Sequence, residues 1–339
     1  MRASHIVVVG TSSGGLETLR ILMAALPADF PAPICLVMHI APQAPGVLAE
    51  ILARCGPLPT HTARNGDRLR PGHIYVAPPD FHLVVEPGTL RVTKGPRENR
   101  FRPAIDPLFR SAAQVFGPNA FGVLLTGSLD DGSAGLWAIK QLGGTAIVQD
   151  PDDALFPQMP LNAIEHVKVD HVVPASEIAP LLVRLTSQPT EEQAPVAVPP
   201  EMEVEVKIAK EQNPLDVGLD RIADPSSFAC PECHGVLLQL KEGDRFRFRC
   251  HTGHAYSVAS LVSAVNEGIE DSLWSAIRAL EEGGMLMHRM AEHLKTHDGG
   301  SEAESLKERG DEARRQSTMI RRLATVREPL QTSNEPTPQ

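Results

Sequence analysis

Three short stretches of the chain carry residue types that could perform hydrolytic chemistry. Gly10-Thr11-Ser12-Ser13-Gly14-Gly15 offers small hydroxyls among glycines, Met38-His39-Ile40 offers an imidazole, and Gly127-Ser128-Leu129-Asp130-Asp131-Gly132 offers carboxylates. Each follows an apolar run, at residues 6–9, 33–38 and 121–126. Such runs are what a parallel sheet buried on both faces requires. After the first stretch, apolar residues recur at helical spacing over 16–26, and Pro27 stops the pattern. Strand, Gly/Ser turn and helix together lift a small side chain above the carboxyl edge of a sheet, facing exposed helix N–H groups. That geometry serves two chemistries: cradling a phosphate, or presenting a serine nucleophile beside an oxyanion hole. A third reading is a tight turn that the glycines merely close.

The second strand separates these readings. A dinucleotide binder needs Gly-x-Gly-x-x-Gly and an acidic residue after its second strand; here the glycine spacing differs and the strand ends on His39. Ser12, His39 and Asp131 each fall just past the carboxyl end of an expected strand, the edge where open α/β sheets build their sites. Nucleophile, base and orienting carboxylate are the three roles of a serine hydrolase. Asp130 adds a charge beside Asp131, so a shared role or a raised pKa is expected there. Arg100 and Arg102 flank Phe101 ahead of a helix beginning near residue 104, which suits gripping a carboxylate, because a guanidinium fork matches two oxygens. Arg97 and Arg110 read instead as parts of a solvated face.

The elements that must position these groups can be read in turn. A helix is expected over 45–55. Short strands over 58–63, 73–77, 82–86 and 90–94, separated by turn residues, are expected to form hairpins at an edge of the parallel sheet. A further strand over 144–150, a loop to Pro160, a short helix, a last strand near 171–174 and a closing helix over 177–185 complete a doubly wound, mostly parallel α/β domain with an antiparallel edge, residues 1–188. A formal net charge of −10 over 339 residues is not that of a nucleic-acid binder, which shows a basic face. No stretch is long enough for a membrane span and no signal segment opens the chain, so the cytoplasm is expected, without membrane insertion.

The C-terminal part changes character. Residues 189–226 are rich in proline and glutamate and read as a flexible linker. Cys230-Pro231-Glu232-Cys233 and Cys250-His251-Thr252-Gly253-His254 then supply four nitrogen and sulfur ligands at the spacing of a structural zinc ribbon, residues 227–258. The expected ligands are Cys230, Cys233, Cys250 and His254, with His234 a less suitable substitute and His251 poorly placed beside Cys250. Residues 259–327 read as a helical hairpin or dimerisation element, and 328–339 as a disordered tail.

Six stretches taken together resemble the catalytic domain of the chemotaxis protein-glutamate methylesterases, the CheB type. They are the Ser12 turn, Met-His-Ile-Ala-Pro, Pro-Gly-His-Ile-Tyr-Val-Ala-Pro-Pro-Asp, Asn-Arg-Phe-Arg-Pro-Ala-Ile-Asp-Pro-Leu-Phe, the Asp131 turn and Phe-Pro-Gln-Met-Pro, in order over residues 5–186. The resemblance implies a serine hydrolase acting on γ-glutamyl methyl esters of chemoreceptors, with deamidation of receptor glutamines in some members and no catalytic cofactor. It places the nucleophile on Ser12, the base on His39, the aspartate on Asp131 and the oxyanion hole on the backbone N–H groups of Ser13 and Ser128. Better-known members read Gly-Met-Gly-Asn-Asp-Gly where this chain reads Gly-Ser-Leu-Asp-Asp-Gly. Typical members also carry an N-terminal receiver domain. Here the chain opens at the first catalytic strand, and the C-terminal module is expected to take over a regulatory or docking task.

Overall fold

The computed structural model of the protein describes residues 4–187, 196–242, 245–295 and 300–331. Its centre is β1 (Ile6–Thr11), buried along its whole length. The side-chain period of two divides that strand between two cores. Ile6 and Val8 pack with Leu108, Phe109 and Ile139 on one face, and Val7 and Val9 with Leu19, Leu22 and Leu182 on the other.

From β1 the chain passes through α1 (Gly15–Ala25), β2 (Ile34–Met38), α2 (Leu48–Leu52), β3 (Thr60–Thr62) and β4 (Ile74–Val76). It continues through the hairpin β5 (His82–Glu86) and β6 (Thr89–Thr93), then α3 (Ile105–Phe116), β7 (Ala120–Leu124), α4 (Ser133–Gln141), β8 (Thr145–Gln149), α5 (Gln158–His166), β9 (His171–Val173) and α6 (Ala175–Thr186). The main sheet has seven strands in the order β3-β4-β2-β1-β7-β8-β9, and each of its pairings is parallel. Helices α3, α4 and α5 cover one face, and α1, α2 and α6 the other, the doubly wound arrangement expected. The chain leaves β1 to β2 on one side and returns to β7 on the other, so β1 and β7 frame the topological switch point.

The short middle strands differ from expectation in one respect. Only β5 and β6 form an antiparallel hairpin, as a separate two-stranded sheet. β3 and β4 join the main sheet in parallel register, because the long connection over 63–73 is enough chain to cross over, where a hairpin turn would not be.

A larger difference concerns the stretch expected as a linker. Residues 188–195 lie outside the described residues, but 200–209 form α7 (Pro200–Ala209), with Met202, Val206 and Ile208 buried, and α8 (Leu219–Ile222) follows. The glutamates that suggested a solvated segment include Glu205, only 2% exposed and bonded to arginines. A charge that finds partners inside no longer marks a solvated chain. Strands β10 (Asp224–Ala229), β11 (Val236–Glu242), β12 (Arg245–Cys250) and β13 (Ala255–Ser257) then form an antiparallel sheet in sequence order.

The long helix α9 (Val258–Lys295) crosses from one compact unit, residues 1–260, into a second, residues 261–339. In that second unit α9 runs antiparallel to α10 (Gly300–Val326), with Glu281 opposite Arg321 and His288 opposite Asp311. Gly284 and Gly310 let the two backbones approach between those pairs. The glycine turn expected near 298–300 and the tail from 332 lie at or beyond the edge of the described residues.

Candidate active site

β1 delivers Ser12 to the carboxyl edge of the sheet, and two glycines fix what surrounds it. Gly14 adopts φ +76°, a left-handed conformation that side chains resist, and so turns β1 directly into α1. Gly127, just past β7, lies so close that a Cβ there would stand 2.9 Å from Ser12 Cβ and 2.6 Å from Met159 Cε. The turn that carries Ser128 and Asp131 is thereby pressed against the serine. The Ser12 N–H donates to the Thr126 carbonyl at 3.0 Å and seals the two turns together.

β2 brings His39 to the same edge, and its backbone N–H donates to Thr11 O at 3.1 Å. The imidazole stacks on Phe101, with centroids 3.7 Å apart and planes 6° from parallel. Its Nδ1 lies 3.0 Å from Ser12 Oγ, and its Nε2 lies 2.7 Å from Asp131 Oδ2. With the proton on Nε2, the ring donates to Asp131 and leaves Nδ1 to accept from the serine hydroxyl, as a general base requires.

Asp131 is 1% exposed. Burial by itself would raise its pKa, but hydrogen bonds from His39, from the Ile105 N–H and from Asn99 outweigh it and hold the carboxyl well below the usual carboxylate range. Ile105 N, at 2.7 Å, is the first amide of α3, so a helix N-terminus also faces the charge. The Asn99 amide donates to Asp131 Oδ1 at 2.9 Å and to Asp106 Oδ2 at 3.1 Å. Burial and the neighbouring charge of Asp131 push Asp106 upward. Asp106 in turn accepts from Gly132 N and Gly135 N at the start of α4. Asp130 does not reach the triad histidine. It accepts from Ser257 Oγ at 2.6 Å, and burial and Asp131 raise its pKa.

The groups open onto a cleft of about 770 Å³ whose lining includes Ser12, Ser13, His39, Ser128, Arg100 and Arg102. The two arginines differ. Arg102 donates from Nε and Nη2 to Asp80 Oδ1 at 2.9 and 2.7 Å and from Nη1 to the Gly95 carbonyl, so much of its fork is spent on the protein. Arg100 takes φ +74°, unusual for a residue with a Cβ, at the cleft wall. Arg110, expected on a solvated face, is 1% exposed. It belongs to a buried cluster in which Glu98 and Glu205 face Arg110, Arg247 and Arg249. Position in the chain hid this, since the partners of Arg110 lie on α7 and β12.

Cys230, Cys233, Cys250 and His254 converge, their ligand atoms all within 4.8 Å of one another. Cys233 Sγ to Cys250 Sγ is 3.6 Å, and His254 Nδ1 lies 3.6 Å from Cys250 Sγ and 3.7 Å from Cys230 Sγ. These separations exceed any disulfide. They match the edges of a tetrahedron about a zinc ion, which at about 2.3 Å from sulfur and 2.0 Å from nitrogen puts ligands roughly 3.5–3.8 Å apart. Glu232 lies 3.3 Å from His254 Nε2, the outer carboxylate that orients a metal-bound imidazole.

Several contributors had no signal of their own in the sequence. Asn99 is an isolated amide between Glu98 and Arg100, and its role arises from partners at positions 131 and 257. Phe101 was legible as an aromatic between arginines, but its stacking on His39 was not.

Comparison with known proteins bears on this geometry. The family model described as CheB methylesterase matches residues 7–182. This chain belongs to the CheB methylesterase family. A putative protein-glutamate methylesterase/protein-glutamine glutaminase of Leptospira interrogans is 38% identical over 188 residues, covering 55% of this chain and 97% of that protein. A protein-glutamate methylesterase/protein-glutamine glutaminase of Anaeromyxobacter dehalogenans is 42% identical over 182 residues, covering 54% of this chain and 53% of that one. The crystal structure of the Thermotoga maritima CheB methylesterase catalytic domain superposes with a TM-score of 0.52 at 36% identity, over 53% of this chain and 98% of that domain. All of these CheB matches fall on the α/β domain, and the ribbon and helices lie beyond the family match. Among the described residues no helix is long and apolar enough to cross a membrane.

Proposed function

We propose that this CheB-family chain is a serine hydrolase that demethylates glutamate methyl esters on chemoreceptor proteins, and that the same centre deamidates receptor glutamines. The observation that carries the reading is the unbroken chain Ser12–His39–Asp131, joined at 3.0 and 2.7 Å. In the first half-reaction Ser12 Oγ bonds to the ester carbonyl carbon while its proton passes to His39 Nδ1. The carbonyl oxygen becomes an oxyanion and is stabilised by the backbone N–H groups of Ser13 and Ser128, residues that line the cleft. The C–O bond to methoxide then breaks, His39 returns the proton, and methanol leaves. In the second half, water adds to the acyl-enzyme through the same base, and glutamate departs from Ser12. Asp131 holds the imidazole in the tautomer both halves need. Arg100 and Arg102, at the cleft wall, bind acidic groups of the receptor segment.

Zinc belongs to this reading as a structural element. Cys230, Cys233, Cys250 and His254 would hold it, and all four positions of a tetrahedron are then filled by protein, so the ion would cross-link the ribbon and take no part in the reaction. Free thiols at all five cysteines suit a reducing, cytoplasmic setting. The exposed Met285, Leu286 and Met319 of the second unit support self-association through its helices.

Treatment with a serine-reactive phosphonate tests the reading. One label is expected, on the peptide containing Ser12, and it should be absent from Ser12→Ala and greatly slowed in His39→Ala. An unlabelled protein would mark a decayed site.

A further inference from the structure

The triad carboxylate rests on a residue whose other end is held by the ribbon. Asn99 Nδ2 donates to Asp131 and Asp106, and Asn99 Oδ1 accepts from the Ser257 N–H at 2.9 Å and from Ser260 Oγ at 3.1 Å. Ser257 ends β13, Ser260 lies on the first turn of α9, and both are buried. The backbones meet too: Asn99 N donates to Ala255 O at 2.8 Å, and Ala255 N donates to Arg97 O at 3.1 Å.

An amide has a donor end and an acceptor end, and this one is polarised by its neighbours. Two carboxylates on one side demand the NH2 group, and two donors on the other demand the oxygen. Without the donors of β13 and α9, Oδ1 would be a buried acceptor with no partner. Turning the amide round would aim that oxygen at Asp131 and remove one of the bonds that hold the carboxylate. Ser257 Oγ adds a second link by donating to Asp130, the residue next to Asp131.

Building on the proposed hydrolase, we infer that the ribbon completes the active site: Ser257 and Ser260 fix the orientation of Asn99, and Asn99 is a positioning residue for Asp131. The α/β domain holds the three reacting groups, whereas the carboxylate's alignment depends on a segment more than a hundred residues further along the chain. Arg249, 0% exposed, fastens the docking by bonding Glu98, next in sequence to Asn99, at 2.8 Å.

The test uses the full chain and compares Asn99→Ala, the double variant Ser257→Ala/Ser260→Ala, and Ser257→Thr. The readouts are hydrolysis of a γ-glutamyl methyl ester peptide and the rate of phosphonate labelling at Ser12 across pH. A displaced carboxylate should lower kcat about ten- to a hundredfold in Asn99→Ala and about three- to tenfold in the double variant, with KM nearly unchanged. Asp131 stabilises the imidazolium of His39, so weakening that contact should also move the acid limb of the labelling profile to lower pH. Ser257→Thr, which keeps the hydroxyl, should behave like the parent. Because Asn99→Ala strips a donor from two buried carboxylates and need not fold, the double variant decides the matter. If it folds with the parent's melting temperature, kcat and acid limb, the inference is overturned. A parent protein that takes no label contradicts the hydrolase reading itself, a different outcome from a labelled parent with indifferent variants.

Discussion

The position of one proton on His39 decides whether Ser12 is a nucleophile, and Asp131 sets that position. Asp131→Asn would present an amide that can turn its NH2 toward the ring, favour the wrong tautomer and lower kcat about 10⁴-fold. Circular dichroism and kinetics on the purified variant would show whether the fold survives the change while activity does not. At Gly127 the constraint is steric. The added methyl of Gly127→Ala falls 2.9 Å from Ser12 Cβ, so labelling at Ser12 should fall about tenfold or more through misplacement of the serine, with stability lowered by about 1–3 kcal/mol from overpacking. A labelling rate equal to the parent's would show that the two turns can part freely. Ser12, His39 and Asp131 were legible because strand ends are where such sheets do chemistry and each residue stands at one. Asn99 and Phe101 were not, because what they touch is separated from them in sequence and no local period marks them.

Among the elements, the least expected is the segment from α7 to β12, whose arginines and glutamates form an interior ion cluster against α3. Burial alone would raise Glu98, but Arg110, Arg249 and Arg247 together hold its carboxyl at about 2, against 4.5 for an ordinary glutamate. A folded-state pKa below the unfolded one contributes stability that is complete above pH 4.5 and is lost as the pH falls toward 2. Denaturant midpoints should therefore decline through that window, and the decline should be shallower in a Glu98→Gln variant. That variant should itself be less stable at pH 7 by about 3–5 kcal/mol, since it leaves buried guanidinium groups without their counter-charge. The helices and central strands followed directly from apolar periodicity. A solvated linker and a buried ion network, in contrast, are both written in glutamate and arginine, and only the partners tell them apart.

For the whole molecule, the ribbon cannot be treated as a passenger on the α/β domain. Sequence alone suggested that residues 189–339 could be deleted without unfolding what precedes them. The structure argues otherwise, because deletion would strand Glu98 and Arg110 without Glu205, Arg247 and Arg249. A chain ending at residue 188 should melt well below the full protein by calorimetry; equal melting temperatures would remove the ion cluster from the account. Metal content carries a parallel expectation. The purified protein should hold one zinc per chain, and chelation should lower its melting temperature, because the ribbon's ligand cluster would lose its cross-link. The central claim concerns the reaction, and the most direct measurement is methanol release from carboxymethylated chemoreceptor membranes by the full chain beside its Ser12→Ala variant. The account predicts release that is saturable in the parent and absent from the variant. Equal release from both, or none from a parent that takes the phosphonate at Ser12, would contradict it.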